Sequence, residues 1–270
     1  MPTSSRKRRV KVRRLIRAWV ASSPRVIGSS RRSRAQARVA VVVATVGSGT
    51  GRSMYWAWPP SRQYVVAPAR HFARKPASLD HVQAAALPLA ALTAWQALVD
   101  TAGVSAGQRV LVHAAAGGVG HLAVQIAKAR GAYVIGTASA SKHDVLRELG
   151  ADELIDYRSV DFTEAVSDVD VVLDALGGET AELSLKVLKP GGHLISLPGP
   201  DSVPAAADGV YAAWVLVEPD LKGLEAIAAL SDQGLLKPLV DTVLPLAQAA
   251  KAHEIGEQGR TTGKIVLTVV

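Results

Sequence analysis

The chain has 270 residues, 31 Lys and Arg against 23 Asp and Glu, and a formal net charge of +8, enough length for one large domain or two modest ones. It holds no cysteine, which excludes disulfides, thiolate metal sites and a cysteine nucleophile. No apolar run approaches the ~18 residues of a membrane span, and Arg17 breaks any signal-peptide core near the start, so a soluble, cytoplasmic protein with no membrane partner is expected.

The charge is unevenly placed. Residues 1–79 carry 18 Lys and Arg and no Asp or Glu, which leaves 13 basic residues against 23 acidic ones in the remainder, a balance of −10. Residues 1–38 hold the clusters Arg6 to Arg9 and Arg31 to Arg34. Such runs can neutralise nucleic-acid phosphates, and an Arg- and Ser-rich, acid-free start also suits an organelle transit peptide. With no binding motif or interleaved aromatics beside them, a solvated, disordered extension without a selected role is preferred over either. Residues 39–63 add a short apolar stub, Val39 to Val46, a Gly-Ser-Gly-Thr-Gly tract ending at Gly51, and the cluster Tyr55, Trp56 and Trp58. No Gly-Lys-Ser/Thr follows those glycines, so a phosphate loop is rejected.

From Tyr64 the pattern becomes ordered. A strand-like Tyr64 to Pro68 precedes a capped helix over Ala77 to Ala90, interrupted at Pro88. A second helix runs from Leu89 to Ala102. Strands then alternate with helices: Arg109–His113, Tyr133–Thr137, Glu153–Asp156, Val169–Asp174, His193–Leu197 and Tyr211–Val217. Strands apolar almost throughout, each followed by a helix, belong in a parallel sheet covered on both faces. The fold class expected is therefore α/β, a doubly wound (Rossmann) sheet of six parallel strands. In the helix after the second strand, Ser141 is read as the cap, with Asp144 three residues on and Gly150 as the stop. Helices over Leu221–Leu230 and Ala247–Glu257 and strands over Leu236–Leu244 and Lys264–Val270 complete the chain.

The stretch that organises this pattern is Val110 to Gly120, running into a helix on Val119, Leu122, Ala123, Ile126 and Ala127. In a Gly-x-Gly-x-x-Gly frame the special positions are Ala115 for the tight turn, Gly117 for close approach to a pyrophosphate and Gly120 for helix–strand packing. The phosphates would lie on the helix N-terminus. At the end of the second strand, where an acid usually holds the ribose of NAD, stands Ala138. Ser139 and Lys142 can donate to a 2′-phosphate there, and Tyr157 can join them, so NADP(H) is favoured over NAD(H). Glycine turns also follow the fourth strand (Asp174 to Gly178) and the fifth (Leu197 to Pro200). The seven histidines show no metal-ligand spacing, no zinc or other metal site is expected, and His113 and His121, flanking the glycine loop, are read as packing or solvent-facing residues. No Gly-x-Ser-x-Gly elbow supports a hydrolase.

Leu87-Pro-Leu-Ala-Ala-Leu-Thr-Ala94, His113 to Gly120, Leu146 to Tyr157, Asp170 to Asp174 and Gly263-Lys-Ile-Val-Leu267 occur in this order. Together they resemble the medium-chain dehydrogenase/reductase superfamily, in its zinc-independent quinone oxidoreductase branch, over about Tyr64 to Val270. The resemblance implies a two-domain NADPH enzyme, often a homodimer, that reduces quinones or other α,β-unsaturated carbonyls by hydride transfer. It implies that Gly117, Gly118, Val119 and Gly120 hold the pyrophosphate, and that Ser139, Lys142 and Tyr157 hold the 2′-phosphate. Thr93, Leu176, Gly177, Leu197 and Pro198 would line the nicotinamide. No catalytic acid is assigned.

Members of this family begin with a GroES-like, β-rich substrate domain. Only residues 64–100 and 236–270 read as pieces of it, flanking a cofactor domain over 101–235, and residues 1–63 show none of its alternation. We therefore expect most of that domain to be missing or replaced, by truncation or a shifted reading frame. The alternative functions are an NADP(H)-binding module without turnover and, more weakly, nucleic-acid binding through the basic arm.

Overall fold

Six apolar segments, each preceded or followed by a helix, lie side by side in a single parallel sheet in a computed structural model of the chain, which describes residues 71–206 and 209–268. In chain order these are β1 (Arg109–Val112), β2 (Tyr133–Ala138), β3 (Glu153–Asp156), β4 (Val169–Asp174), β5 (Leu188–Ser196) and β6 (Tyr211–Trp214). They stand in the order β3-β2-β1-β4-β5-β6, with every neighbouring pair parallel. This is the expected doubly wound sheet, with its topological switch between β1 and β4.

Alternate residues of each central strand enter opposite cores. Val110 and Val112 pack into one layer with Val134, Val171 and Ile195, while Leu111 packs into the other with Ile135, Val172 and Leu194. Burial on both faces is why these strands read as continuous apolar runs.

The helices are α1 (His81–Ala85), α2 (Pro88–Trp95), α3 (Gly120–Ala129), α4 (His143–Glu148), α5 (Phe162–Ala165), α6 (Glu179–Ser184), α7 (Leu221–Asp232) and α8 (Ala249–Glu257). Asp80 and Gln83 form a reciprocal capping box on α1. Pro88 opens α2 rather than breaking it, and α2 continues as a π-helical turn over Gln96–Thr101. Ser141 does not cap α4. A 3₁₀ turn, Ala140–Lys142, intervenes, no side chain caps the helix, and the Ser141 hydroxyl instead faces that of Ser139 at 3.3 Å.

Helix α3 is buried from Gly120 through Ala127, as a helix must be when it lies between a sheet and other helices. Its one buried amide, Gln125, donates to the carbonyls of His121 (2.8 Å) and Lys237 (2.9 Å) and accepts from the Lys237 N–H (2.8 Å). These bonds pin the segment that leads into a second, two-stranded parallel sheet, β7 (Val240–Pro245) with β8 (Lys264–Thr268), joined by α8. That sheet begins four residues later than the apolar run starting at Leu236, because Leu236 is itself wholly buried in the main core. Residues 1–63, with both basic clusters, lie outside the described residues.

Truncating Gln125 to Ala leaves the Lys237 amide without its partner. The expected cost is about 1–3 kcal/mol, read as a lower urea midpoint, with faster hydrogen exchange confined first to residues 237–240.

Candidate functional site at the carboxyl edge of the sheet

The chain leaves β1 by bonding to both neighbours in turn. His113 donates its amide to Leu173 O (3.0 Å) on β4, and Ala115 donates to Thr137 O (3.0 Å) on β2. Between them Ala114 takes a left-handed conformation, φ +51°, uncommon for a residue with a side chain. The tight turn expected at Ala115 is thus made one residue earlier. Ala115 is buried, its methyl sitting against β2 where only Gly136 leaves room.

A buried network holds Ala114 in place. Thr137 Oγ1 accepts from the Ala114 N–H at 3.3 Å and lies 3.1 Å from His113 Nδ1, while His113 Nε2 lies 3.0 Å from Ser184 Oγ. Ser184 donates its hydroxyl proton to Thr180 O at 2.6 Å. It must therefore accept from His113 Nε2–H, which leaves Nδ1 bare to accept from Thr137. Both histidines that flank the loop do more than fill space. His121, at 0% exposure, donates Nδ1–H to the Gly117 carbonyl at 2.8 Å.

The glycines then set how closely α3 sits on the turn. A side chain at Gly120 would fall onto the Ala114 carbonyl oxygen and 2.8 Å from Ala115 Cα. At Gly118 the same volume is filled by Lys264 of β8, whose Nζ would stand 2.7 Å from an added Cβ. Gly263 donates its amide to Ala116 O (2.9 Å), so the β7–β8 unit is fastened directly to the glycine loop. Gly120 and Ala115 are buried, whereas Gly117, Gly118 and Val119 remain half-exposed. No side chain caps α3, and among the described residues no acceptor takes the amides of Gly118 and Val119. Free amides at the positive end of a ten-residue helix suit an anion such as a diphosphate.

The other residues singled out from sequence fall into two groups along the same edge. On one side of the switch, Ala138 pairs with Asp156 as the last pair of β2 and β3, and Ser139 and Tyr157 each follow directly after those strand ends. Ser139 is buried and Tyr157 is exposed. The Lys142 ammonium donates to the carbonyls of Arg260 (3.0 Å) and Thr261 (3.1 Å). Burial pulls its pKa below the usual lysine value, with Asp241 opposing that effect and Arg158 adding to it.

On the other side, the loops after β4 and β5 touch. A Cβ at Gly177 would lie 3.0 Å from Ser202 Cβ and 3.4 Å from Pro198 Cγ, Leu176 is exposed, and Leu197 is half-buried. Asp174, wholly buried, accepts from the amides of Leu176 (2.9 Å) and Gly177 (2.9 and 3.1 Å) and from Ser196 Oγ (3.4 Å). Burial raises its pKa above the ordinary aspartate value, although those donors pull it down. Ser196 in turn meets Ser202 Oγ at 2.7 Å. Thr93 is carried by α2, packed against α3 and α7, and spends its hydroxyl proton on Leu89 O (2.7 Å).

Sequence reasoning missed Asp174, Ser196, Arg158 and Lys264 as residues that shape this edge. For Lys264 the signal was a cation inside a strand that otherwise reads as buried. It is 3% exposed, and burial pulls its pKa down to about 7. Among the described residues no three His, Cys, Asp or Glu side chains gather as metal ligands.

Burial drives the pKa of both His113 and His121 down to about 4 from an ordinary 6.5. Unfolded, each takes up a proton near pH 6.5 that the folded form refuses until about pH 4. Their contribution is therefore fully present above pH 6.5 and lost as pH falls through 4. The urea midpoint is expected to drop steeply between pH 6.5 and 4, and His113→Asn is expected to flatten that drop.

Three comparisons bear on this arrangement. A family model described as zinc-binding dehydrogenase matches residues 149–267. A probable zinc-binding oxidoreductase, mitochondrial, of Arthroderma benhamiae is 34% identical over 78% of this chain and 69% of its own length. The NAD(P)H oxidoreductase RTN4IP1, mitochondrial, of Danio rerio is 32% identical over 82% of this chain, which spans 66% of that relative's length. Among solved structures, the quinone oxidoreductase of Coxiella burnetii superposes with a TM-score of 0.67 at 36% identity, covering 73% of this chain and 64% of that one. The CurK enoyl reductase superposes with a TM-score of 0.64 at 33% identity, over 73% and 65%. Sheet order, glycine loop and these likenesses agree: the chain belongs to the medium-chain dehydrogenase/reductase superfamily, in its quinone oxidoreductase-like branch.

Proposed function

We propose that this chain is an NADPH-dependent oxidoreductase acting on quinones or other α,β-unsaturated carbonyls. The observation that carries the reading is the pair of amides just before α3, Gly118 and Val119, that find no acceptor among the described residues, with an uncharged Ala138 at the neighbouring strand end. An acid at position 138 would repel a 2′-phosphate, and none is there. The names of the zebrafish relative, an NAD(P)H oxidoreductase, and of the Coxiella structure, a quinone oxidoreductase, support the reaction class.

NADPH, when bound, supplies a hydride from nicotinamide C4 to the electron-poor carbon of the substrate. The residues of this chain bind and orient. The Gly117 to Gly120 turn receives the diphosphate, and Ser139 and Tyr157 flank the adenosine ribose. The Leu176–Gly177 and Leu197–Pro198 loops, with Thr93, flank the nicotinamide. Asp174 keeps the first of those loops in register by taking two of its amides, so its role is positional. The negative charge arising on the substrate oxygen is quenched by a proton from solvent, and orientation supplies most of the rate.

The full chain is expected to enhance NADPH fluorescence on binding, to prefer NADPH to NADH, and to oxidise NADPH when a small quinone or enone is added. Binding without turnover would leave an NADP(H)-binding module, and absence of binding would sink the proposal. Strand β6 is the last in its sheet and exposes Tyr211, an unpaired edge that suits a second copy of the chain. We propose a homodimer on that basis, and sedimentation equilibrium at micromolar concentration is expected to give twice the chain mass. For location we propose the cytoplasm. The two curated relatives carry mitochondrial in their names, and recovery in a mitochondrial fraction would overturn that assignment.

A further inference from the structure

A row of three side chains runs inward from the loop after β5. Asp174 and Ser196 are partners at the last rung between β4 and β5, so their side chains leave the sheet on the same face. Ser202 ends the 3₁₀ turn Pro200–Ser202 and brings its hydroxyl to 2.7 Å from Ser196 Oγ. Ser196 Oγ lies 3.4 Å from Asp174 Oδ2. At the outer end, Ser202 Oγ donates to Gly199 O at 2.5 Å. Asp174 and Ser196 are wholly buried, whereas Ser202 is half-exposed.

The row has three contacts, and each of its two hydroxyls brings one proton. A carbonyl oxygen can only accept, so the Ser202 proton goes to Gly199. Two hydroxyl oxygens 2.7 Å apart need a proton between them, and Ser196 alone is left to supply it. With Asp174 ionised, Ser196 can serve the carboxylate or Ser202 but not both. One more proton, on Asp174 Oδ2, fills every contact in a single direction, from Asp174 to Ser196 to Ser202 to Gly199. The Leu176 and Gly177 amides meet the carboxyl oxygens in either state, so the loop after β4 stays braced throughout. Among the described residues Asp174 has no ion-pair partner, and burial favours its neutral form.

We infer that Asp174, Ser196 and Ser202 hold one proton in store and deliver it, through the Ser202 hydroxyl, to the oxygen of the reduced substrate. The inference rests on the reading of this chain as a reductase of quinones or enones. Ser202 stands against the loop that reading sets beside the nicotinamide: a Cβ at Gly177 would lie 3.0 Å from Ser202 Cβ and 3.4 Å from Pro198 Cγ. Hydride transfer leaves an electron pair and a negative charge on the substrate oxygen. That oxygen takes the Ser202 proton in place of Gly199 O, Ser202 takes the proton of Ser196, and Ser196 takes that of Asp174. At each step one O–H bond forms as another breaks. The charge ends on Asp174, where the Leu176 and Gly177 amides already donate. A proton entering at half-exposed Ser202 then refills the row, so solvent remains the ultimate source.

The test uses the full chain and two readouts. The first is the infrared difference between H2O and D2O at pH 7 without ligand, where a carboxylic acid absorbs apart from ionised carboxylates. One such band is expected, lost in Asp174→Asn and moved in Ser196→Ala, the second variant deciding if the first does not fold. The second readout is turnover of NADPH with a small enone, beside NADPH affinity from nicotinamide fluorescence. Ser202→Ala is expected to lower kcat about a hundredfold, the low end for a positioned proton donor, with the NADPH dissociation constant unchanged. Ser202→Thr, which keeps the hydroxyl, is expected to restore most of that loss. Turnover in the unsubstituted chain with no acid band, or with Ser202→Ala unimpaired, overturns this inference and leaves the reductase reading standing. So does a kcat loss in Ser202→Ala that comes with weakened NADPH binding, which would make the serine only a support for its loop. An unsubstituted chain that turns over neither enone nor quinone overturns the reductase reading and this inference with it.

Discussion

The approach of α3 to the turn after β1 governs everything else at this edge of the sheet. The helix begins against the Ala114 carbonyl and the Ala115 backbone, so close that position 120 has no room for a side chain. That proximity aims the first amides of α3 outward from the sheet at the switch point, where the strand order reverses. The energetic burden is a left-handed alanine and two histidines kept neutral in the interior. Tertiary packing over-determines the turn and so sustains the strain, as is usual where a backbone must be held ready for a ligand.

The site is consequently made of main chain more than of side chains. Ser139 is buried, Thr93 is satisfied within its own helix, and Asp174 and Ser196 face inward to hold loops. What each contributes is the direction in which an amide or a loop points. If the proposed reaction holds, the protein's task is to set cofactor and acceptor at the right distance, and a scaffold of braced loops suits that task.

The sheet was legible because strands buried on both faces leave long apolar runs, and β1 to β4 fall within a residue of the expected limits. Strand β5 was not, at its start. It begins at Leu188, where Lys189-Pro-Gly-Gly192 reads as a turn, yet Leu188 pairs with Val169 across a register shift. The glycine loop was legible as a motif, but its geometry was not. The strained residue is Ala114, and what permits it is a threonine on another strand and a serine on a distant helix. Local pattern carries strand and helix; it carries no record of which side chains meet after the sheet is wound. Ser141 illustrates the same limit, since a serine before an apolar periodicity reads as a cap until the intervening 3₁₀ turn moves the helix start to His143.

The fastening of β8 to the glycine loop, through Gly263 to Ala116 and Lys264 over Gly118, has a consequence for the order of assembly. Two segments separated by most of the described chain must meet before the loop acquires its final form, and contacts of such long span close late. On a ribosome the six-stranded sheet can wind while β8 is still being made. The glycine loop therefore takes its final form only after β8 has been made and seated, later than the sheet that carries it.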